Sequence, residues 1–347
     1  MNGKINQVWE KLSEIMEQTH VPLFEIEGVN YVLLSDTHLG NGSGADDFHN
    51  NESALLKALD YYLEKKFRLI LLGDIEEFWQ FDLGEIEQRY SDTVYSRIRK
   101  FPQEHITRLF GNHDYEWGGF VDPISDQAAS SAAPEALKLV DSTGAVRILL
   151  VHGHQGSLES DKFSWFSRFW VHLFRFVEPL AVKVGLYTTG SATKSQIPKD
   201  YERTFYQWAK QNKLMIICGH SHRAIFASKS YAENLNEQMA YLKAENSQVD
   251  VTQARRMEIA RELHALKKEL NYEKSKGRVI AAMDPGQEPL PCYFNTGCGL
   301  YSDGLTAIEI EADAIRLVKW NRDPVQDKPD REIYKEDSLS ALLDEIK

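Results

Sequence analysis

An apolar run that ends at a carboxylate constrains this chain most. Residues 67–72 are almost all apolar, and they are followed at once by Gly73 and Asp74. A short apolar run that stops at a turn residue is typical of a buried strand. A carboxylate at the end of such a strand is costly unless a partner neutralises it. The sequence therefore predicts a cation or another charged partner beside Asp74.

The same arrangement recurs at four further predicted strands, over residues 31–35, 106–110, 146–151 and 214–218. Each of these strands leads directly into His, Asp or Asn side chains. The residues that follow these strand ends are Asp36, His38, Asn112, His113, Asp114, His152, His154, His220 and His222. Open α/β sheets bind their ligands at the carboxyl ends of the strands. We therefore expect these side chains to converge on one site with Asp74.

Helical patterns alternate with the first of these strands. Residues 51–65 and 84–100 are predicted helices between strands, and a β-α-β-α-β order is the signature of a layered α/β fold. An amphipathic helix over residues 4–18 precedes the first strand. Residues 121–140, which are rich in Ala and Ser and contain two prolines, are predicted as broken helix and loop.

The C-terminal part of the chain resumes the sheet. Strands are predicted over residues 292–296, 305–311 and 315–320, separated by Gly and Asp turns. The charged C-terminal tail over residues 321–347 is predicted to contain a last helix over 337–346. We expect residues 1–347 to form a single domain.

Two long helical insertions interrupt the predicted strands. Residues 157–212 contain an aromatic and basic stretch, which is interpreted as a packed helical pair, as a lid over the site, or as a peripheral membrane contact through 163–187. Residues 230–277 carry apolar residues at steps of three and four, which predicts an antiparallel helical hairpin. This hairpin is either a solvated excursion that packs on itself or a contact in a homo-oligomer.

Composition argues against several classes of protein. The formal net charge of −12 does not suit a protein that coats nucleic acid, so no nucleic-acid partner is expected. Cys218, Cys292 and Cys298 have no C-x-x-C spacing, which predicts free thiols and a cytoplasmic location. The chain lacks an apolar run of about 18 residues, and its N-terminus lacks an apolar core, so neither a transmembrane segment nor a signal peptide is expected.

The mixture of imidazole and carboxylate groups predicts a transition-metal site. These ligands together suit Mn, Fe or Zn better than Ca, and we expect two divalent ions, Mn²⁺ foremost, with Asp74 between them. Such a pair lowers the pKa of bound water and binds phosphoryl oxygens. The predicted reaction is attack of a metal-bound hydroxide on a phosphomonoester, phosphodiester or pyrophosphate, and the expected partner is a phosphorylated small molecule.

The motifs D-x-H, G-D, G-N-H-D, H-G-H and G-H-x-H, in this order, resemble those of the calcineurin-like metallophosphoesterase superfamily. The resemblance spans residues 30–320 outside the two insertions. It implies a β-sandwich of two mixed sheets flanked by helices, and it implies a hydrolase of the phosphatase type with a dinuclear metal centre.

The resemblance also implies roles for individual residues. One metal ion would be held by Asp36, His38, Asp74 and His222. The other would be held by Asp74, Asn112, His152 and His220. His113 would protonate the leaving oxygen or at least donate a hydrogen bond to the phosphate, and Asp114 would orient its ring. Asn112, His154 and Arg223 are the predicted substrate contacts.

Two features separate this chain from the general pattern. Family members usually carry G-D-x-x-D, whereas Glu77 stands here in place of the second Asp. The motif around Asp36 and the pair Phe78-Trp79 are similar to UDP-2,3-diacylglucosamine pyrophosphohydrolases, which carry Arg where His113 stands, so a lipid substrate does not follow.

Two alternatives to the predicted phosphohydrolase stay open. One is a non-catalytic protein-binding module on the same fold, against which the complete set of ligand positions argues. The other is a nuclease of the superfamily, against which the acidic net charge argues.

Overall fold

The computed structural model describes residues 2–114, 122–124, 133–156, 199–248, 251–275, 283–322 and 330–347. The strands in these ranges are β1 (Leu23–Glu25), β2 (Tyr31–Leu34), β3 (Arg68–Leu72), β4 (Ile106–Leu109), β5 (Ala136–Val140), β6 (Val146–Val151), β7 (Met215–Cys218), β8 (Ala224–Phe226), β9 (Lys229–Ser230), β10 (Tyr293–Thr296), β11 (Gly304–Glu311), β12 (Ala314–Asn321) and β13 (Arg331–Ser338). The α-helices are α1 (Asn2–Glu17), α2 (Glu52–Glu64), α3 (Leu83–Tyr90), α4 (Ser96–Ile98), α5 (Lys199–Asn212), α6 (Tyr231–Asn246), α7 (Gln253–Ser275) and α8 (Leu339–Ile346).

The strands form two mixed sheets, which confirms the predicted fold class. One sheet has seven strands in the order β1-β5-β6-β7-β10-β8-β9, and the other has six in the order β13-β12-β11-β2-β3-β4. Strands β2, β3 and β4 are parallel to one another, as are β6, β7 and β10. Each sheet therefore presents the carboxyl ends of its central strands at one edge, and the polar motifs follow these ends.

Successive side chains along the central strands belong alternately to two layers of the hydrophobic core. On β2, Tyr31 and Leu33 join the cluster that lies between the sheets, whereas Val32 and Leu34 join the cluster under the helices α2 and α3. Successive strand residues point to opposite faces of a sheet, so a strand with apolar residues throughout is covered on both faces. This burial fixes the register of the central strands and hence the position of each strand end.

The secondary structure departs from the prediction at β5 and in the C-terminal tail. Residues Ala136–Val140, predicted as broken helix and loop, form strand β5, which pairs with β1 and β6. The helix predicted over 84–100 is confirmed over α3 and α4, which are joined by a π-helical turn over Ser91–Tyr95. The C-terminal tail contains strand β13, which was not predicted. This strand lies at the edge of its sheet with a largely exposed face, so its sequence is charged and lacks the apolar pattern of a buried strand.

Residues 231–275 form two helices that pack against each other and against β13. The ring of Tyr231 stacks on that of Tyr334, with centroids 3.9 Å apart, and Leu235 and Leu270 are buried in the same small cluster. Met257, a member of the predicted apolar seam, is instead 56% exposed. The hairpin therefore contacts the six-stranded sheet as well as itself.

The N-terminal part of the 157–212 insertion lies outside the described residues, as does the proposed membrane contact through 163–187. Its C-terminal end is helix α5, which packs against α1 and the seven-stranded sheet. Within the described residues, no helix has both the length and the apolar composition needed to cross a bilayer.

Candidate metal centre

The turns that follow the central strands have an unusual backbone. Five of the predicted ligand residues have a positive φ angle: Asp36 (52°), His38 (47°), Asp74 (52°), His220 (65°) and His222 (56°). Non-glycine residues in this region cost about 1–3 kcal/mol each and persist only where their surroundings over-determine them. The concentration of such residues at these strand ends indicates a functional site.

Two motif glycines bring backbone close to the carboxylates. A Cβ atom on Gly111 would overlap Asp74 Oδ1, and one on Gly219 would overlap Asp36 Oδ2. The amide of His220 also donates to both oxygens of Asp36, at 3.1 and 2.9 Å. The glycines of G-N-H-D and G-H-x-H are therefore required because any side chain there would displace a carboxylate.

Asp36, His38 and His222 form the first group of ligand atoms. His222 Nε2 lies 3.1 Å from Asp36 Oδ1 and 3.2 Å from His38 Nε2. Asp74 Oδ2 lies 3.9 Å from His38 Nε2. These atoms face a common space, and a divalent cation there would satisfy their lone pairs.

Asp74, His152 and His220 form the second group. His152 Nδ1 donates to the carbonyl of Leu72 at 2.8 Å, so Nε2 is the ring atom left to bind a proton or a cation, and it lies 3.0 Å from Asp74 Oδ2. In the described part of the chain, neither His152 Nε2 nor the buried Oδ1 of Asn112 has a hydrogen-bond partner. His152 Nε2 and Asp74 Oδ2 face each other in a buried space and need a proton or a metal ion between them, so these residues fit a metal ion.

The carboxylates of the second group favour a positive charge in the same place. Burial alone would lower the pKa of His152, but the carboxylates of Asp74 and Asp36 outweigh burial and raise this pKa to about 10. Burial and the neighbouring His152 lower the pKa of His154 to about 3 and that of His220 well below its usual range. In the metal-free chain the carboxylates thus favour a proton on His152, where a cation would lie, whereas burial and His152 favour the neutral form of the other two rings.

Glu77 holds the ring of His113, a role that the sequence had assigned to Asp114. His113 Nδ1 donates to Glu77 Oε1 at 2.8 Å, and the indole of Trp79 stacks on the His113 ring with centroids 3.8 Å apart. Asp114 instead accepts the amides of Gly111 and Ile75, at 2.6 and 2.8 Å. The carboxylate of Asp114 thus faces backbone amides of two loops, and its catalytic role stays a prediction.

Glu77 also holds a ring of the first ligand group. Its other oxygen, Oε2, accepts from His38 Nδ1 at 2.8 Å, which leaves His38 Nε2 free of a proton and directed at the first group. Burial opposes its ionisation, but His113 and His38 lower the pKa of Glu77 to about 2. The departure from G-D-x-x-D was the only sequence signal for this residue, and the longer side chain allows it to bridge two rings.

The other predicted substrate contacts lie around the two groups. His154 is buried, and its ring lies 5.5 Å from that of His152. Arg223 is also buried, and its guanidinium donates to Glu202 Oε2 of α5 at 3.2 Å. Asn112 supplies its carbonyl to the indole N–H of Trp79 at 3.0 Å. Their substrate-binding roles stay predictions.

Comparison with known proteins agrees with this site. The family model for calcineurin-like phosphoesterases matches residues 29–224, a range that includes all of the groups above. A two-sheet α/β fold with carboxylate and imidazole groups at its strand ends defines a metal-dependent hydrolase of phosphoester bonds. The chain belongs to the calcineurin-like phosphoesterase family.

Individual relatives are more distant. Ribonuclease Z from Streptococcus equi subsp. equi (strain 4047) and from subsp. zooepidemicus (strain H70) are each 34% identical over 91 residues, which is 26% of this chain and 26% of theirs. The chain thus spans about a quarter of the length of these relatives. A solved structure, a predicted phosphoesterase from Streptococcus pneumoniae TIGR4, is similar with a TM-score of 0.31 and 13% identity, over 89% of this chain and 97% of that one.

Proposed function

We propose that the protein is a dinuclear phosphohydrolase that cleaves a phosphomonoester, phosphodiester or pyrophosphate in a small molecule. The observation that carries this proposal is the position of Asp74 Oδ2, which lies 3.0 Å from His152 Nε2 and 3.9 Å from His38 Nε2. One carboxylate oxygen thereby faces a ligand atom of each group. A shared carboxylate offsets the repulsion between two cations, which otherwise opposes their binding at short range.

The mixed imidazole and carboxylate donors support Mn²⁺ as the native ion, with Fe or Zn as the alternatives. When bound, two such ions stabilise phosphoryl charge and provide a nucleophile at neutral pH. By position, the first ion is assigned to Asp36, His38, Asp74 and His222, and the second to Asp74, Asn112, His152 and His220. Among the described residues, Asn112 Oδ1 and His152 Nε2 lack hydrogen-bond partners, and this supports the assignment of the second ion.

His113 is proposed as the general acid. Its Nδ1 proton is committed to Glu77, so the proton on Nε2 is the one that passes to the leaving oxygen. Burial opposes a charged ring, but Glu77 and Asp74 raise the pKa of His113 to about 9 in the metal-free chain. Glu77 and the stacked Trp79 restrict the ring to one orientation, and this restriction favours proton transfer along a fixed line.

The substitution His113→Ala is expected to lower kcat about 100-fold on a chromogenic phosphodiester with Mn²⁺, because a general acid contributes about 100- to 10,000-fold. Metal content, measured by elemental analysis, should stay at the wild-type value. His20→Ala, at an exposed position, is the control and should leave both quantities unchanged. Equal rates for wild type and His113→Ala, or no hydrolysis by either, would contradict the proposal.

The substrate panel for this test contains phosphomonoesters, cyclic nucleotides, dinucleoside polyphosphates and nucleotide-lipid pyrophosphates. It also contains a structured RNA, because of the partial similarity to ribonuclease Z. A small molecule is favoured because the net charge is −12, which repels a polyanion. Cleavage of RNA alone would replace the small-molecule proposal with a nuclease.

Two further proposals concern the setting of the enzyme. The three cysteines are buried and free, which supports a reducing compartment and hence a cytoplasmic location. Membrane contact through 163–187 and self-association through 230–277 stay predictions. Vesicle co-sedimentation and analytical ultracentrifugation of the full chain would measure them.

A further inference from the structure

The loop between β10 and β11 supports the first ligand group from behind. The amide of Gly299 donates to the carbonyl of Asp36 at 2.9 Å, and the hydroxyl of Tyr301 donates to the carbonyl of His222 at 2.8 Å. One short loop thus contacts the backbone of two predicted ligands that come from opposite ends of the motif set. None of the sequence motifs includes this loop.

The contact with His222 is made at a residue with a strained backbone conformation. His222 has a φ of 56°, a conformation that a residue with a side chain keeps only if its neighbours hold it there. In this conformation its imidazole lies in the first ligand group, with Nε2 3.1 Å from Asp36 Oδ1. The hydrogen bond from Tyr301 fixes the carbonyl of the same residue, so it acts directly on the direction of the ring.

Tyr301 is itself rigidly held. Its side chain is buried, and Asn51 donates to its carbonyl at 2.7 Å and to that of Gly299 at 2.6 Å. The ammonium of Lys319 lies 4.9 Å from the centroid of its ring and pairs with Asp303 at 2.6 Å. A hydroxyl on a fixed ring defines the position of its acceptor more tightly than one on a mobile side chain.

The helical hairpin reaches this loop. Tyr272 of α7 and Ser302, the neighbour of Tyr301, are joined by a hydrogen bond of 2.9 Å between their hydroxyls. The buried Glu273 lines the same small cavity as Tyr301 and Lys319. The second insertion therefore contacts the segment that holds a metal ligand, although the hairpin contains none of the predicted ligands.

We propose that Tyr301 is a positioning residue for the metal ligand His222, and that the hairpin formed by α6 and α7 stabilises the loop that carries it. The proposal rests on the two-metal function proposed above. It assigns the hairpin a role in setting the affinity of the first metal site. It also predicts that loss of the Tyr301 hydroxyl weakens the binding of one ion and leaves the binding of the other unchanged.

The test is a calorimetric titration of MnCl₂ into the full chain after removal of bound metal. Wild type is expected to bind two equivalents. Tyr301→Phe should bind one of them about three- to tenfold more weakly and the other unchanged, because a single hydrogen bond to the ligand residue is lost. A role in folding alone would lower the melting temperature without changing either affinity.

Tyr31→Phe is the matched control. The hydroxyl of Tyr31 is also part of a buried tyrosine, and it donates to a backbone carbonyl, that of Glu25, at 2.6 Å, but it contacts no predicted ligand. This variant should lose a similar amount of stability and bind Mn²⁺ as wild type does. A second variant, Tyr272→Phe, removes the exposed link to Ser302 and should weaken the same equivalent about twofold.

The outcomes separate the two proposals. If wild type binds fewer than two equivalents, the two-metal function fails and the role of Tyr301 fails with it. If wild type binds two equivalents of Mn²⁺ and Tyr301→Phe binds each of them as tightly as wild type does, only the role of Tyr301 is overturned. Should Tyr301→Phe not fold, Tyr272→Phe decides, because wild-type affinity for both equivalents in that variant would overturn the proposal.

Discussion

Replacement of Asp74 by Asn is expected to lower kcat/KM at least about 1,000-fold and to reduce the bound metal to one equivalent or less. Asp74 Oδ2 faces both ligand groups, and its Oδ1 accepts the amide of His113 at 2.8 Å. Asparagine has the same shape but a single oxygen. This oxygen can accept the amide of His113 or face the two ligand groups, and the NH₂ then occupies the other position.

The charge matters as much as the shape. Burial would raise the pKa of Asp74, but His152, His113 and His38 lower it well below its usual range, so the group is a carboxylate at neutral pH. A neutral amide in its place removes the negative charge between the two proposed cations. Their mutual repulsion is then uncompensated, and we expect the more weakly held ion to be lost.

Two measurements check this prediction, elemental analysis of the purified protein and kcat/KM on a chromogenic phosphodiester. Asp46→Asn is the matched control, because Asp46 is equally buried and accepts the amides of Gly42 and Phe48, at 2.8 and 2.9 Å. The control should lose about 1–2 kcal/mol of stability and keep its metal. Two equivalents of metal and activity within about tenfold of wild type in Asp74→Asn would contradict a shared carboxylate.

Much of the site could be predicted because its determinants are local. An apolar run specifies a buried strand, and the residue after the run marks the strand end, so the positions of Asp36, Asp74 and His152 follow from neighbouring residues. The family motifs then specified which strand ends belong together. The fold class followed from the alternation of helices and strands in the first half of the chain.

The differences between prediction and structure concern features that depend on distant parts of the chain. Asp114 was assigned to the ring beside it, but the direction of its carboxylate depends on the loop that contains Ile75. Strand β5 exists because β1 and β6 flank it, and Lys138 within it donates to the end of α1, at the carbonyls of Met16 and Gln18. Neither partner is visible in a local pattern, because pairing is a tertiary property.

Glu77→Gln is expected to lower kcat about 1,000-fold, a larger effect than that of removing the acid itself, because Glu77 serves two rings. Each carboxylate oxygen accepts an Nδ1 proton, one from His38 and one from His113. Glutamine has one acceptor oxygen, so its NH₂ must face one of the two rings. That ring then has to accept at Nδ1 and carry its proton on Nε2.

Either arrangement of the amide damages the site. If the NH₂ faces His38, this ring carries its proton on Nε2, the atom that points at the first ligand group. The affinity for one metal equivalent should then fall. If it faces His113, the ring loses the carboxylate that stabilises its charged form, and proton transfer should fail with metal content preserved. Metal titration together with kcat therefore identifies which ring depends more on Glu77.

Two further variants complete this argument. Glu77→Asp keeps the charge but is shorter by one C–C bond of about 1.5 Å, so it can reach one ring only and should not restore full activity. Glu76→Gln, at the adjacent buried residue, alters the pair with Arg108 and should cost stability, about 3 kcal/mol, while the folded fraction keeps its kcat. Wild-type kcat in Glu77→Gln would show that neither ring needs the bridge, and the longer side chain at this position would then have no catalytic consequence.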